Sequence, residues 1–290
     1  MHSLKMVPSS PLRYPGGKGR LLDFFSGIVN ANKLRGGVYV EAFAGGAAIG
    51  TGLLLNGIVE RVVINDLDRS VWAFWKAILE YPERFVDAVS TTPLTIDEWM
   101  RQKKIQSAPD PSIFELGFST FFLNRTNRSG VMNAGVIGGL DQEGDYKLDA
   151  RFNREALTQR IRSIAEMSDK IDIHNLDAEE FIKEILPTFP TDKTLVYFDP
   201  PYYVNGKKLY MNYYENEDHQ RLSEVIEAIP HFWCVSYDDV KEVRRLYSSH
   251  RIIPFQLSYC AHSIRMGKEI MIFSDEMKIP RKPKLPQICQ

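Results

Sequence analysis

A chain of 290 residues, 44% hydrophobic and 25% charged, can bury a sizeable core without covalent staples and suits one large α/β domain carrying an insertion. Three scattered cysteines (Cys234, Cys260, Cys289) and six histidines without metal-ligand spacing argue against a disulfide framework or a zinc site, so no metal is expected and a cytoplasmic location fits. A net charge of −1 leaves a nucleic-acid partner open, because local basic clusters matter more than the sum. No run approaches about 18 consecutive apolar residues and the N-terminal stretch has no apolar segment, so neither a membrane span nor a signal peptide is expected.

Val38 to Phe43 reads as a buried strand that runs into the small-residue turn Ala44-Gly45-Gly46-Ala47-Ala48, which opens a helix ending near Asn56-Gly57. Arg61 to Asn65 is a second strand, closed by Asp66. Ser70 to Glu80 is helical, with Tyr81-Pro82 as a stop. Thr95 and Glu98 have the spacing of a capping box for a helix through Lys104, and Phe114 to Leu123 is a further apolar helix. Asn124 to Asp149, rich in Gly, Asn and Asp, reads as loop with a hairpin. Leu157, Ile161, Ile164 and Ala165 share a helical face. Strands follow at 171–174, 195–198 and 233–236, each with a helix behind it (178–185, 217–229, 240–246), and 251–257 with 269–273 form a closing hairpin. Alternating strands and helices imply a mostly parallel sheet covered on both faces. The expected organisation is a core domain of residues 1–81 and 151–278, an inserted region 82–150 and a loose tail 279–290.

The sharpest signal is Asp199-Pro200-Pro201-Tyr202 after the apolar strand 195–198, at the strand end where open α/β sheets bind ligands. By average composition this tetrapeptide arises by chance in roughly one chain in a thousand of this length, so an ordinary Asp-Pro turn is the minority reading. Its residue types suit work on an aromatic amine. The lone pair of adenine N6 is delocalised into the ring. A carboxylate and a carbonyl that accept its two N–H bonds free that lone pair and stabilise the positive charge developing as a methyl group arrives. Asp199 and the Pro200 carbonyl supply such acceptors, the prolines stiffen the loop, and Tyr202 offers a flat face to an extruded base.

The turn Glu41-Ala42-Phe43-Ala44-Gly45-Gly46 lets the backbone approach a ligand, and its departure from G-x-G-x-x-G argues against NAD and FAD. Asp66 at the next strand end suits a ribose, and equally a helix cap for the segment near Ser70. Arg13-Tyr14-Pro15-Gly16-Gly17-Lys18 is a basic turn able to hold a small carboxylate. Asp177 and Phe181 suit an adenine ring, and equally a helix cap plus a core phenylalanine.

In this order the segments RYPGGK (13–18), EAFAGG (41–46), NDLD (65–68), FFLNRTNRSG (121–130), YFDPPYY (197–203), VSYDD (235–239) and SIRMGKEIMI (263–272) resemble the Dam-like family of DNA adenine-N6 methyltransferases. The resemblance spans nearly the whole chain. It implies a Rossmann-like methyltransferase sheet, mostly parallel with a terminal antiparallel hairpin, and an inserted smaller, mostly helical target-recognition domain. It implies S-adenosyl-L-methionine as cofactor. Tyr14, Gly16, Gly17 and Lys18 would hold its methionine part, Glu41, Phe43, Gly45 and Gly46 would run alongside, Asp66 would take the ribose, and Asp177 and Phe181 the adenine ring. Asp199, Pro200, Pro201 and Tyr202 would act on the target base. Asn124, Arg125, Asn127 and Arg128 would contact double-stranded DNA. Ala47 stands where many relatives have a further glycine, and a negative φ is expected there. A monomer or weak dimer, with a cognate restriction endonuclease as candidate partner, completes the implied picture.

Competing chemistries fit less well. Cytosine-N4 methylation more often begins the loop with serine, cytosine-C5 methylation needs a Pro-Cys nucleophile that this chain lacks, and glutamine methylation tends to use Asn-Pro-Pro-Tyr. RNA adenine and an inactive DNA-binding protein on the same fold remain the alternatives.

Overall fold

The computed structural model describes residues 10–13, 18–204, 214–261 and 263–280. Tyr14, Gly16 and Gly17 lie outside them.

Seven strands form one sheet: β1 (Val38–Glu41), β2 (Arg61–Asn65), β3 (Ile171–His174), β4 (Thr194–Phe198), β5 (Phe232–Asp238), β6 (Arg251–Ala261) and β7 (Ser263–Phe273). Their spatial order is β3-β2-β1-β4-β5-β7-β6. The first five are parallel, and β7 inserts antiparallel between β5 and β6. The expected closing hairpin is therefore present, with longer arms than the apolar pattern alone showed. All five residues of β4 are buried, as a central parallel strand requires.

The period of two along the strands divides the core between the two faces. Val40, Val63, Val196, Phe198 and Val235 point to the side covered by α8 (Ala178–Glu184), α9 (Asn216–Glu227) and α10 (Lys241–Leu246). Tyr39, Val62, Ile64, Leu195, Tyr197 and Cys234 point to the other, where α1 (Leu22–Ala31), α2 (Ala48–Leu55) and α3 (Arg69–Glu80) contribute to the core.

The region after Glu80 is more regular than its sequence suggests. Tyr81-Pro82 ends α3 at Glu80 as expected, and a new helix starts at once. Pro82 occupies the first turn of α4 (Pro82–Thr91), where the missing N–H costs nothing. Next come α5 (Ile96–Gln106), which Thr95 caps through the Glu98 N–H, and α6 (Ile113–Thr126), which carries a full capping box between Ser112 and Glu115. α6 lies so close to α3 that a Cβ on Gly117 would run into the Ala73 carbonyl. Phe85, Phe118, Phe121 and Phe152 join Phe74 of α3 in one run of ring contacts, so the helices after Glu80 share the core on that face of the sheet. α7 (Arg154–Ala165) leads back into β3. Ile279 packs on the core, Pro280 lies against Gly27, and residues 281–290 of the expected tail lie outside the described residues.

Candidate active site

The chain runs outward from β1 through β2 to β3, then crosses back to place β4 on the other side of β1. The strand order reverses there, and the crevice at the carboxyl ends of β1 and β4 is where such sheets bind ligands. The two glycine-turn and Asp-Pro-Pro-Tyr segments leave these two neighbouring strand ends. The register pairs Glu41 with Tyr197, and the Ala42 N–H donates to the Tyr197 carbonyl.

On the β4 side, Asp199 is held by one oxygen. Its Oδ1 accepts from Lys18 Nζ at 2.9 Å and from Ser236 Oγ at 2.6 Å, and Ser236 is itself 2.7 Å from the Tyr197 hydroxyl. No hydrogen bond among the described residues reaches Oδ2, and the Asp199 side chain keeps 21% of its surface exposed. The carboxylate is thus aimed, with its second oxygen available. Pro200 and Pro201 are buried. Tyr202 is 7% exposed, and its hydroxyl accepts from Lys18 Nζ at 3.1 Å and donates to Glu269 Oε1 at 2.8 Å. Asp238, at the end of β5, receives the Tyr203 and Val204 N–H groups and pins the far side of the loop. Lys18, expected on the methionine part of a cofactor, lies buried on the acceptor side, 2.9 Å from Asp199 and 3.4 Å from Glu269. One ammonium between two carboxylates leaves an acidic excess. Burial raises the Glu269 carboxyl and the Asp199 charge adds to the rise, against the pull of Lys18.

On the β1 side, the turn is built around Asp66. Its Oδ2 accepts the Gly45 N–H at 2.7 Å and its Oδ1 accepts the Asp68 N–H at 2.9 Å, while Trp75 Nε1 donates to the Gly45 carbonyl. The cap of α3 is Asp68, not Asp66. Desolvation pushes the Asp66 carboxyl up to about 7. Glu41 is 4% exposed and accepts the Gly50 N–H of α2, which makes it a brace beneath the turn, and burial raises its carboxyl to about 8. Asn65 ties this end of the sheet together, donating to the Ala42 and Leu176 carbonyls. Phe43 is half-buried and meets Tyr214 edge-on at 6.1 Å.

Three expectations need correction. Ala47 does not have negative φ. It sits at φ 40°, ψ 40° in the left-handed region, because the chain must reverse into α2 there, and the glycine of relatives would take that shape without Cβ strain. Phe181 is fully buried in the core behind the sheet and does not present its ring to a ligand, and Asp177 caps α8 through the Glu179 N–H.

The third concerns the DNA contacts. Asn124 and Arg125 are helical, in the last turn of α6, rather than in a loop. Asn124 exchanges two 2.7 Å hydrogen bonds with the Arg13 backbone, and Arg125 donates to the Pro11 carbonyl at 2.7 Å. Asn127, fully buried, accepts from Trp99 Nε1 at 2.7 Å and donates to the Val131 and Met132 carbonyls. With these groups committed to backbone and burial lowering the Arg125 guanidinium to about 9, the three are scaffold for the segment entering Lys18 and for the turn at 128–132. Arg128 alone of the four is exposed.

Sequence reasoning assigned no role to Ser236, Glu269, Tyr197 or Asp238. Their segments stood out as matching blocks, but nothing in a local pattern says that β5 and β7 end beside Asp199. The described residues contain no cluster of His, Cys, Asp and Glu that could hold a metal ion and no helix long and apolar enough to cross a membrane.

The family model for D12 class N6 adenine-specific DNA methyltransferases matches residues 14–259. The Type II methyltransferase M.MjaIII of Methanocaldococcus jannaschii is 24% identical over 227 residues, covering 72% of this chain and 75% of that protein. Sp1610 of Streptococcus pneumoniae, a solved structure described as a candidate tRNA (m1A22) methyltransferase, aligns over 85% of this chain and 68% of its own with 6% identity and a TM-score of 0.35. With its matching model running from Tyr14 into the closing hairpin, the chain belongs to the D12 class of N6 adenine-specific DNA methyltransferases.

Proposed function

We propose that the chain uses S-adenosyl-L-methionine to methylate N6 of an adenine extruded from double-stranded DNA, with Asp199 and the Pro200 carbonyl accepting the two amine hydrogens. The observation that carries this is the one-sided anchoring of Asp199: Lys18 and Ser236 hold Oδ1, and Oδ2 is left for a substrate donor. The residues fit the cofactor. Among the described residues Asp199 and Glu269 face the single Lys18 ammonium, a balance that favours a cationic sulfonium. Asp66 and the Gly45 turn would take the ribose, with Phe43 alongside. Bound there, the cofactor supplies a methyl group on a cationic sulfur as the electrophile. The protein's part is to hold the amine. Asp199 Oδ2 draws on one N–H as positive charge grows on N6, the stiff loop keeps the acceptors aimed, and Tyr202, tethered by its hydroxyl, gives the base a fixed wall.

The region 82–150 is the proposed target reader, with Arg128 among its exposed cations. A cognate restriction endonuclease is the partner this reading suggests.

Asp199→Ala in a tritiated methyl-transfer assay on unmethylated genomic DNA should lose at least about a hundredfold in rate, with the cofactor Kd by calorimetry within about threefold. Activity surviving within about tenfold would remove Asp199 from the acceptor role. Mapping methylated adenines in DNA from cells expressing the protein tests base and site together.

A further inference from the structure

We infer that Glu269 is a positioning residue for methyl transfer: by sharing the Lys18 ammonium it keeps Asp199 a strong acceptor for the target amine, and it tethers Tyr202. The inference rests on Asp199 being that acceptor. Glu269 lies on β7, opposite Asp238 of β5 in the antiparallel register, with 2% of its side chain exposed. It is bound to both ends of the site. Its Oε1 accepts from the Tyr202 hydroxyl at 2.8 Å and its Oε2 lies 3.4 Å from Lys18 Nζ, the same nitrogen that lies 2.9 Å from Asp199.

A carboxylate this deep costs more than an apolar side chain of its size, so packing does not account for it. Its consequence is electrostatic. An ammonium facing Asp199 alone would draw electron density from the carboxylate and weaken it toward an amine donor. Facing two carboxylates, it neutralises neither. The other titratable groups turned toward Asp199 are Glu41 of β1 and the phenols of Tyr39, Tyr197 and Tyr237, with Tyr202 in the same hydrogen-bond network. Lys18 is the cation of that network, so the balance between Glu269 and Asp199 is set at one nitrogen.

The test is Glu269→Gln in the full chain, which keeps an acceptor for Tyr202 and removes the charge. Single-turnover methyl transfer to unmethylated genomic DNA should slow about tenfold to a hundredfold, with cofactor and DNA Kd values within about threefold. With one carboxylate removed from the Lys18 ammonium, the acid limb of the pH–rate profile should move down by about one pH unit. Glu269→Asp, which keeps the charge, should regain part of the rate and return the limb to its wild-type position. A Glu269→Gln rate within about threefold of wild type overturns the inference, and so does a slow variant whose acid limb stays in place, since that is a packing defect. Asp199→Ala runs alongside. If it still transfers methyl groups, the acceptor reading fails; if it is silent while Glu269→Gln behaves as wild type, only the role of Glu269 fails.

Discussion

At the carboxyl edge of the sheet, polar side chains from distant stretches meet one another: Lys18 from the 3-10 helix Lys18–Leu21, Asp199 after β4, Ser236 on β5 and Glu269 on β7. In the helical region after Glu80 they meet the backbone. Asn124 binds the main chain of Arg13, Arg125 that of Pro11, and Asn127 that of Val131 and Met132. Side chain paired with side chain leaves the acid in the first region poised, with an oxygen to spare. Side chain paired with carbonyl in the second consumes the donors and yields rigidity. The same residue types, asparagine and arginine, that read DNA when exposed are here the mortar that carries the N-terminal segment to the catalytic edge.

The largest effect expected from breaking this contrast is at Asn127. Asn127→Ala strands the Trp99 indole N–H and two buried carbonyls, and should cost about 2–3 kcal/mol in denaturant unfolding, with discrimination among DNA sites unchanged. Discrimination relaxed at one base pair, with stability intact, would make Asn127 a base reader instead.

Next in size is a pH effect at the catalytic edge. The folded Glu41 carboxyl holds its proton up to about 8. Its contribution is full below the carboxylate range of the unfolded chain and is lost as pH rises through the folded value. Between about pH 6 and pH 9 the wild type should lose about 2 kcal/mol of stability that Glu41→Gln does not. Parallel stability profiles for the two proteins would show that Glu41 is not a buried neutral acid.

The smallest effect is at Ala47. Ala47→Gly relieves the left-handed alanine at φ 40° and should raise stability by about 0.5–1 kcal/mol, with cofactor affinity within about twofold. A loss of stability would mean that the turn gains more from chain stiffness than it spends on strain.

Much of this molecule was readable before any coordinates. The short apolar runs at 38–43, 61–65 and 195–198 mark strands, the small residues 44–48 mark a turn, and an acidic, proline-stiffened loop at a strand end already points to an aromatic amine. These are local patterns, because strand pleat, turn shape and loop stiffness depend on neighbours a few residues away. Local rules stop short where two meanings share one residue. Pro82 both follows the end of α3 and opens α4, and Asp177 with Phe181, which suits a ligand pair or a cap and core alike, is a cap and core.

Tertiary structure alone decided which charges meet. The contact of Lys18 with Asp199 spans 181 positions, and that of Asn124 with Arg13 spans 111. The reversal of strand order between β1 and β4, and the insertion of β7 beside β5, bring Asp66, Asp199, Ser236 and Glu269 to one edge. Chemistry is carried by residue types that sequence displays. Its tuning depends on burial and on distances of a few ångströms, which exist only once the sheet has closed.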